Sequence, residues 1–132
     1  MIRPPERSRR VLLVDDDPTV ITTFLRMLNL EGFAVRCAGD AETGLREAAA
    51  FRPDAILLDL RMPLVDGLDF LRRLRGDEHI AHTPVAIVTG DYFAEDTLGD
   101  ILRSLGATIH FKPLWLDDLI PLVRQLVDGV KT

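Results

Sequence analysis

Five short apolar runs, separated by amphipathic stretches, constrain the fold of this 132-residue chain more than any other feature. The runs lie at residues 11–14, 33–37, 55–58, 85–88 and 109–111. Each has the length of a strand, and each stretch between two runs has room for one helix. Strands that are joined by single helices need right-handed crossovers, which build a parallel sheet. The pattern therefore predicts an α/β fold with five parallel strands.

The intervening stretches predict five helices, with apolar residues at helical spacing. Asp17 is suited to cap the first helix, because Pro18 follows it at the first helical position and Gly32 lies past the end. Pro121 lies within the last helix and marks its first turns or a kink. The predicted helices span residues 18–30, 40–50, 67–75, 95–105 and 116–128. Strict alternation favours a doubly wound, flavodoxin-like sheet in the order 2-1-3-4-5.

Length and composition limit the domain organisation and the function. The chain is long enough for one core, so we expect a flexible leader at residues 1–8 and one domain at residues 9–130. A formal charge of −5 disfavours direct binding to nucleic acid. The single cysteine, Cys37, indicates a small buried side chain in a reducing compartment, and we expect a cytoplasmic protein. The apolar run after the basic N-terminus is too short for membrane insertion.

Aspartates follow two of the runs that lack polar alternation and are expected to be central strands. Asp15 and Asp16 follow the first run and Asp59 follows the third. The order 2-1-3-4-5 places these strands side by side, so the three carboxylates would share one crevice and repel each other unless a cation intervenes. Oxygen ligands of this kind suit Mg²⁺. Aspartates at a strand end are also often only helix caps, and Asp17 is expected to be one.

Two further polar side chains end apolar runs. Thr89 ends the fourth run and is followed by Gly90, which leaves room for an incoming group. Lys112 follows the fifth run and is one of only two lysines, the other being Lys131. A lysine ammonium can reach a phosphoryl oxygen as a point charge, although lysines at strand ends also simply extend into solvent. The bond between Lys112 and Pro113 is a candidate for the cis form.

In this order and at these separations, the motifs resemble the response-regulator receiver domain of two-component signalling. They are Asp15-Asp16 after Leu-Leu-Val, Asp59-Leu60-Arg61-Met62-Pro63 with Asp66-Gly67 beyond it, Thr89-Gly90, and Lys112-Pro113. The resemblance covers residues 9–128. Each motif is weak alone, but the combination is specific.

The resemblance implies a signalling switch with slow self-dephosphorylation rather than an enzyme. Asp59 would accept a phosphoryl group from a sensor histidine kinase or a histidine phosphotransfer protein. Asp16 would ligate Mg²⁺ directly, Asp15 would act mainly through its waters, and the backbone carbonyl of Arg61 would complete the protein ligands with Asp59. Thr89 and Lys112 would each contact a phosphoryl oxygen. The output would be control of a downstream effector protein or self-dimerisation.

One position departs from the family pattern. Receiver domains commonly carry Tyr or Phe three residues before the lysine, whereas this chain has Ile109 there. Phe111 shares the strand face of Ile109 by the two-residue period. We therefore expect altered coupling between Thr89 and the surface formed by helix four, strand five and helix five.

Other interpretations of the sequence remain open at this point. We expect a stand-alone receiver, since no helix-turn-helix or catalytic module follows Asp128 in the sequence, and a receiver excised from a longer regulator is the open alternative. A haloacid-dehalogenase-like Mg²⁺ phosphatase is the alternative, but that class expects an aspartate where this chain has Arg61. A flavodoxin-like cofactor binder is disfavoured, because no Gly/Ser/Thr-rich phosphate loop follows the first run.

Overall fold

A computed structural model describes residues 8–62 and 66–129. Within these ranges, strands and helices alternate as β1 (Arg10–Val14), α1 (Pro18–Leu30), β2 (Ala34–Ala38), α2 (Ala41–Phe51), β3 (Ala55–Leu58), α3 (Gly67–Gly76), β4 (Val85–Thr89), α4 (Ala94–Ser104), β5 (Ala107–Phe111) and α5 (Leu116–Asp128). The strands form one parallel sheet in the order β2-β1-β3-β4-β5, which confirms the predicted fold class. Residues 1–7 of the predicted leader, Pro63 of the motif that begins at Asp59, residue 130 and Lys131 lie outside the described residues.

The sheet separates two apolar cores, because successive side chains of a strand point to opposite faces. On one face, Leu12, Ile56 and Ile87 pack with buried residues of α2, α3 and α4. On the other face, Leu13 and Leu57 pack with buried residues of α1 and α5, and Cys37 is partly buried there. Burial on both faces explains why β1 and β3 lack polar alternation.

The ends of the elements differ from the predicted ends by at most two residues, the largest difference being the start of β5 at Ala107, and hydrogen bonds define several of these ends. Asp17 caps α1 as predicted, since its side chain accepts a hydrogen bond from the Thr19 N–H at 2.9 Å. Strand β2 begins one residue later than predicted, because the Phe33 N–H donates to the Leu28 carbonyl at the end of α1. Asp40 lies outside α2 as its N-cap.

The start of α3 lies directly on the backbone that follows β3. A Cβ atom at Gly67 would lie 2.7 Å from the Asp59 carbonyl oxygen and 2.8 Å from the Leu60 Cα. The Gly67 N–H also donates to the Leu60 carbonyl at 2.9 Å. Only glycine fits this close approach, so Gly67 fixes the backbone that carries Asp59.

The helices are short and cover the sheet with one face each. Helices α1 and α5 are the longest, with 13 residues each. Pro121 lies inside α5. In the part of the chain that the structure describes, none of the helices is both long and apolar enough to cross a bilayer.

Candidate phosphoryl-transfer site

The register of the central strands brings the first two predicted site residues together. Val14 of β1 is aligned with Leu58 of β3, and both are the last residues of their strands. Asp15 and Asp59 follow directly, and the Asp59 N–H donates to the Val14 carbonyl at 2.8 Å. The two side chains are therefore placed by the sheet itself rather than by a flexible loop.

Strands β4 and β5 bring the other two predicted residues to the same edge. Thr89 of β4 is aligned with Phe111 of β5. The Lys112 N–H donates to the Thr89 carbonyl at 2.8 Å, which extends the ladder by one residue beyond β5. The Lys112–Pro113 peptide bond is cis. Thr89 and Lys112 thus lie at the carboxyl edge of the sheet, where ligands bind in doubly wound folds.

Three carboxylates converge at this edge, as the strand order implied. One oxygen each from Asp15, Asp16 and Asp59 lies within 4.8 Å of the others. Asp15 is 7% exposed and Asp59 6% exposed, whereas Asp16 is open to solvent. The cluster therefore has a buried floor and one accessible side.

Lys112 is the counter-charge of the two buried carboxylates. Its Nζ lies 2.9 Å from Oδ2 of Asp15 and 3.7 Å from Oδ1 of Asp59. The other oxygen of Asp15 accepts the Asp17 N–H at 2.9 Å. Asp15 is thus held on both sides, while Asp59 is held more loosely.

The environment of Asp59 favours its neutral form. Burial and then the charge of Asp15 raise the pKa of Asp59 to about 6, against an opposing effect of Lys112 and of the Arg61 backbone N–H. Burial also opposes the charge on Lys112, but the carboxylates of Asp15 and Asp59 outweigh it and raise the pKa of Lys112. One ammonium does not fully compensate this acidic cluster.

The donor set fits a hard divalent cation. Carboxylate oxygens are the ligands that Mg²⁺ prefers, and a second cation would relieve the repulsion that raises the pKa of Asp59. Arg61, whose carbonyl is the fourth expected ligand, follows Asp59 by two residues, and its backbone N–H is one of the groups that lower the pKa of Asp59. The residues present therefore match the chemistry of magnesium rather than that of zinc.

Thr89 is fully buried, and its hydroxyl is already oriented. Its exposed fraction is 0%, and its Oγ1 accepts the Asp91 N–H at 3.1 Å. A hydroxyl that accepts one hydrogen bond keeps its own hydrogen as a donor. Thr89 can therefore donate to an anion at this edge of the sheet.

The sequence analysis missed Asp91, which connects the two loops beside Asp59. Its Oδ2 accepts hydrogen bonds from Arg61 Nε at 2.9 Å and from Arg61 Nη2 at 2.6 Å. Its Oδ1 accepts the Phe93 N–H at 3.0 Å, and these contacts lower the pKa of Asp91, the Arg61 bond most of all. The sequence did contain a signal for this pair: an acidic residue lies two positions after Thr89, and a basic residue lies two positions after Asp59.

Tyr92 was also missed by the sequence analysis. Its hydroxyl donates to the Lys112 carbonyl at 2.9 Å, and its ring centroid lies 5.7 Å from that of Phe111. Ile109, which has no aromatic ring, is partly buried against the core on the α3 and α4 side. Altered coupling at Ile109 remains a prediction.

Comparison with known protein families and sequences identifies the family of this chain. The family model of the response regulator receiver domain matches residues 11–124. The transcriptional regulatory protein PrrA of Mycobacterium tuberculosis is 36% identical over 121 residues, which is 91% of this chain and 50% of PrrA. The chain thus spans about half the length of this curated relative.

Solved structures give the same result for the fold. The chemotaxis response regulator CheY4 of Vibrio cholerae aligns with a TM-score of 0.82 at 26% identity, over 91% of this chain and 99% of CheY4. The receiver domain of a sensor histidine kinase from Pseudomonas aeruginosa aligns with a TM-score of 0.81 at 27% identity, over 93% of this chain and 100% of that domain. That structure has a magnesium ion coordinated in its active-site cleft. With its family match, fold and acidic cluster, this chain belongs to the response-regulator receiver-domain family of two-component signalling.

Proposed function

We propose that Asp59 accepts a phosphoryl group from a phosphohistidine of a sensor histidine kinase or a histidine phosphotransfer protein. A carboxylate oxygen of Asp59 forms the new P–O bond while the P–N bond breaks, and the imidazole keeps the electron pair of the broken bond. The product is an acyl phosphate. Because a carboxylate is already nucleophilic when it is ionised, no activating base is needed.

The neighbouring residues divide the work of positioning and charge neutralisation. Asp16, Asp59 and the Arg61 carbonyl would hold Mg²⁺, and Asp15 would act mainly through its waters. Bound Mg²⁺ supplies positive charge beside the transferred group. Lys112 pairs with one phosphoryl oxygen and Thr89 donates a hydrogen bond to another. Transfer of this kind depends on such positioning rather than on covalent help from the protein.

The observation that carries this proposal is the arrangement of charge around Asp59. Its carboxylate is buried, belongs to a cluster with oxygens within 4.8 Å of each other, and lies 3.7 Å from the Lys112 ammonium. Oxygen ligands, a nucleophilic carboxylate and a cation for the phosphoryl group are thus present at one edge of the sheet. A haloacid-dehalogenase-like reaction lacks its acid-base residue, since Arg61 occupies that position and pairs with Asp91.

The proposed output is a conformational switch in the cytoplasm that controls a downstream protein or self-dimerisation, with slow self-dephosphorylation. Relatives such as PrrA are transcriptional regulators, and this chain matches about half of PrrA. A nucleic-acid contact would therefore belong to an output partner or domain and not to the receiver surface, whose chain carries a formal charge of −5.

Intact-protein mass spectrometry after incubation with acetyl phosphate tests the proposal. The wild type is expected to gain one phosphoryl group when Mg²⁺ is present and none when Mg²⁺ is chelated. Asp59→Asn is expected to gain none, because the amide is not a nucleophile. Asp96→Asn, an exposed acidic residue on α4, is the matched control and should behave as the wild type.

Two outcomes would contradict the assignment of Asp59. A phosphoryl adduct that persists in Asp59→Asn would place the acceptor elsewhere. Absence of an adduct in the wild type, together with failure to bind beryllofluoride in the presence of Mg²⁺, would show that the site lacks receiver chemistry. Beryllofluoride binding without a trapped adduct would instead indicate rapid loss of the phosphoryl group and would support the proposal.

A further inference from the structure

The turn between β4 and α4, residues 90–93, contacts the site at three separate points. The Asp91 N–H reaches the Thr89 hydroxyl, and the Asp91 carboxylate reaches the Arg61 guanidinium. The Tyr92 hydroxyl reaches the Lys112 carbonyl. This turn therefore joins the segments that follow β3, β4 and β5.

The contact of Tyr92 with Lys112 occurs where the sheet ladder ends. The Lys112 N–H pairs with the Thr89 carbonyl, which belongs to the last residue of β4. Pro113 follows and has no N–H, so it cannot extend the ladder. The Tyr92 hydroxyl supplies the donor for the Lys112 carbonyl at 2.9 Å. The N–H of Lys112 is thus bonded to β4, and its carbonyl is bonded to the turn.

Two features hold Tyr92 in place, although its side chain is 64% exposed. Its ring lies against the Phe111 ring with an interplanar angle of 38°. The preceding residue, Asp91, is fixed by Arg61 and by the Phe93 N–H. The hydroxyl therefore reaches the Lys112 carbonyl from a constrained turn and not as the end of a free side chain.

We propose that Tyr92 is a positioning residue for Lys112, acting through its hydroxyl on the lysine backbone. The inference rests on the proposed phosphoryl-transfer function of the site. The Lys112 ammonium, which contacts Asp15 and Asp59 in the structure, must also meet a phosphoryl oxygen. Because its backbone is anchored, Lys112 loses less conformational freedom when its long side chain binds the phosphoryl oxygen. Tyr92 thereby acts on the binding of the phosphoryl group and not on the carboxylates that would hold Mg²⁺.

Calorimetric titrations of Tyr92→Phe test this separation. The variant keeps the ring contact with Phe111 and removes only the hydroxyl. In saturating Mg²⁺, its affinity for beryllofluoride is expected to fall about three- to tenfold, the size of one net hydrogen bond. Its affinity for Mg²⁺ alone is expected to stay within about twofold of the wild type, since the carboxylates are untouched.

A matched control and a double variant make the test specific. Phe93→Leu alters the neighbouring aromatic residue, which is 73% exposed, and should leave both affinities unchanged. In a Lys112→Ala background, Tyr92→Phe should have no further effect on beryllofluoride affinity, because the group that it positions is absent.

The outcomes separate this inference from the proposed function. Equal beryllofluoride affinities for the wild type and Tyr92→Phe would overturn the positioning role while leaving the function of the site intact. A parallel fall in Mg²⁺ and beryllofluoride affinity would also overturn it, because that pattern reports a general distortion. A wild type that binds no beryllofluoride in Mg²⁺ would refute the proposed function itself.

Discussion

Two partly buried cations lie at opposite edges of the sheet, and their partners differ in kind. At the carboxyl edge, Lys112 faces the carboxylates of Asp15 and Asp59. At the amino edge, Arg75 at the end of α3 donates to the Leu105 carbonyl at 2.7 Å, the Ala81 carbonyl at 3.0 Å and the Thr83 carbonyl at 2.7 Å. One cation is bound to ionisable groups and the other to the backbone.

The difference distinguishes a site whose charged groups can change partners from a contact that only stabilises the fold. The three carbonyls around Arg75 come from the α3–β4 connection and the end of α4, and backbone carbonyls do not titrate. The carboxylates around Lys112 can take a proton or a metal ion instead of the ammonium. Arg75 therefore holds segments together, while Lys112 belongs to a set of charges that can change partners.

The largest effect on stability is expected for Arg75→Ala. Loss of three hydrogen bonds to the backbone is expected to lower the free energy of unfolding by about 3 kcal/mol. Because the acceptors do not titrate, urea denaturation should give the same loss at pH 5 and at pH 7.5. Lys112→Met is the comparison variant, and its loss should grow between these pH values as Asp59 ionises. Equal pH dependence of the two variants would contradict the conclusion that only the partners of Lys112 titrate.

A smaller effect is expected from Asp59 when metal is absent. The folded-state pKa of about 6 exceeds the ordinary value of 3.8, so the folded protein binds the proton more tightly than the unfolded chain. This contribution to stability is present below the ordinary value and is lost as pH rises through about 6. At 1.36 kcal/mol per pKa unit, Asp59→Asn should be more stable than the wild type by roughly 3 kcal/mol at most at pH 7.5.

Urea denaturation in a chelator, repeated between pH 4 and pH 7.5, measures this difference. The advantage of Asp59→Asn should disappear near pH 4, where the wild-type carboxyl is protonated. An advantage that stays constant with pH would mean that ionisation of the buried Asp59 carboxyl is not its cause.

The smallest effect is the stabilisation by Mg²⁺. At ten times its dissociation constant, a ligand that binds only the folded state adds about 1.4 kcal/mol. Thermal melts should show this gain for the wild type and for Asp96→Asn. The gain should be lost in Asp16→Asn, which removes the negative charge of the accessible carboxylate of the cluster. An undiminished gain in Asp16→Asn would place the metal elsewhere.

The comparison also explains what could be predicted from the sequence. The strand order and the convergence of Asp15, Asp16 and Asp59 follow from apolar runs, crossover rules and the alignment of neighbouring strands. The positions of Thr89 and Lys112 follow from the same alignment. All of these residues lie at the end of a strand or within two residues after it, where the backbone leaves little freedom.

The contacts of Asp91, Tyr92 and Arg75 could not be predicted in the same way. Asp91 and Tyr92 lie in a turn, and their partners depend on how that turn folds over the end of β5. Arg75 lies at the end of a helix and bonds to carbonyls, which every residue possesses and which leave no mark in the sequence. The late start of β2 has a similar cause, since the Phe33 N–H is used by the Leu28 carbonyl.

Gly67 has no functional group, yet a substitution there would disturb the backbone that carries Asp59. Its Cα approaches the Asp59 carbonyl and Leu60 so closely that one added methyl group would collide with the main chain. A survey of natural variants that scored only acids, hydroxyls and lysine would class such a change as silent. For this protein, position 67 should therefore be checked together with the charged residues before the site is judged intact.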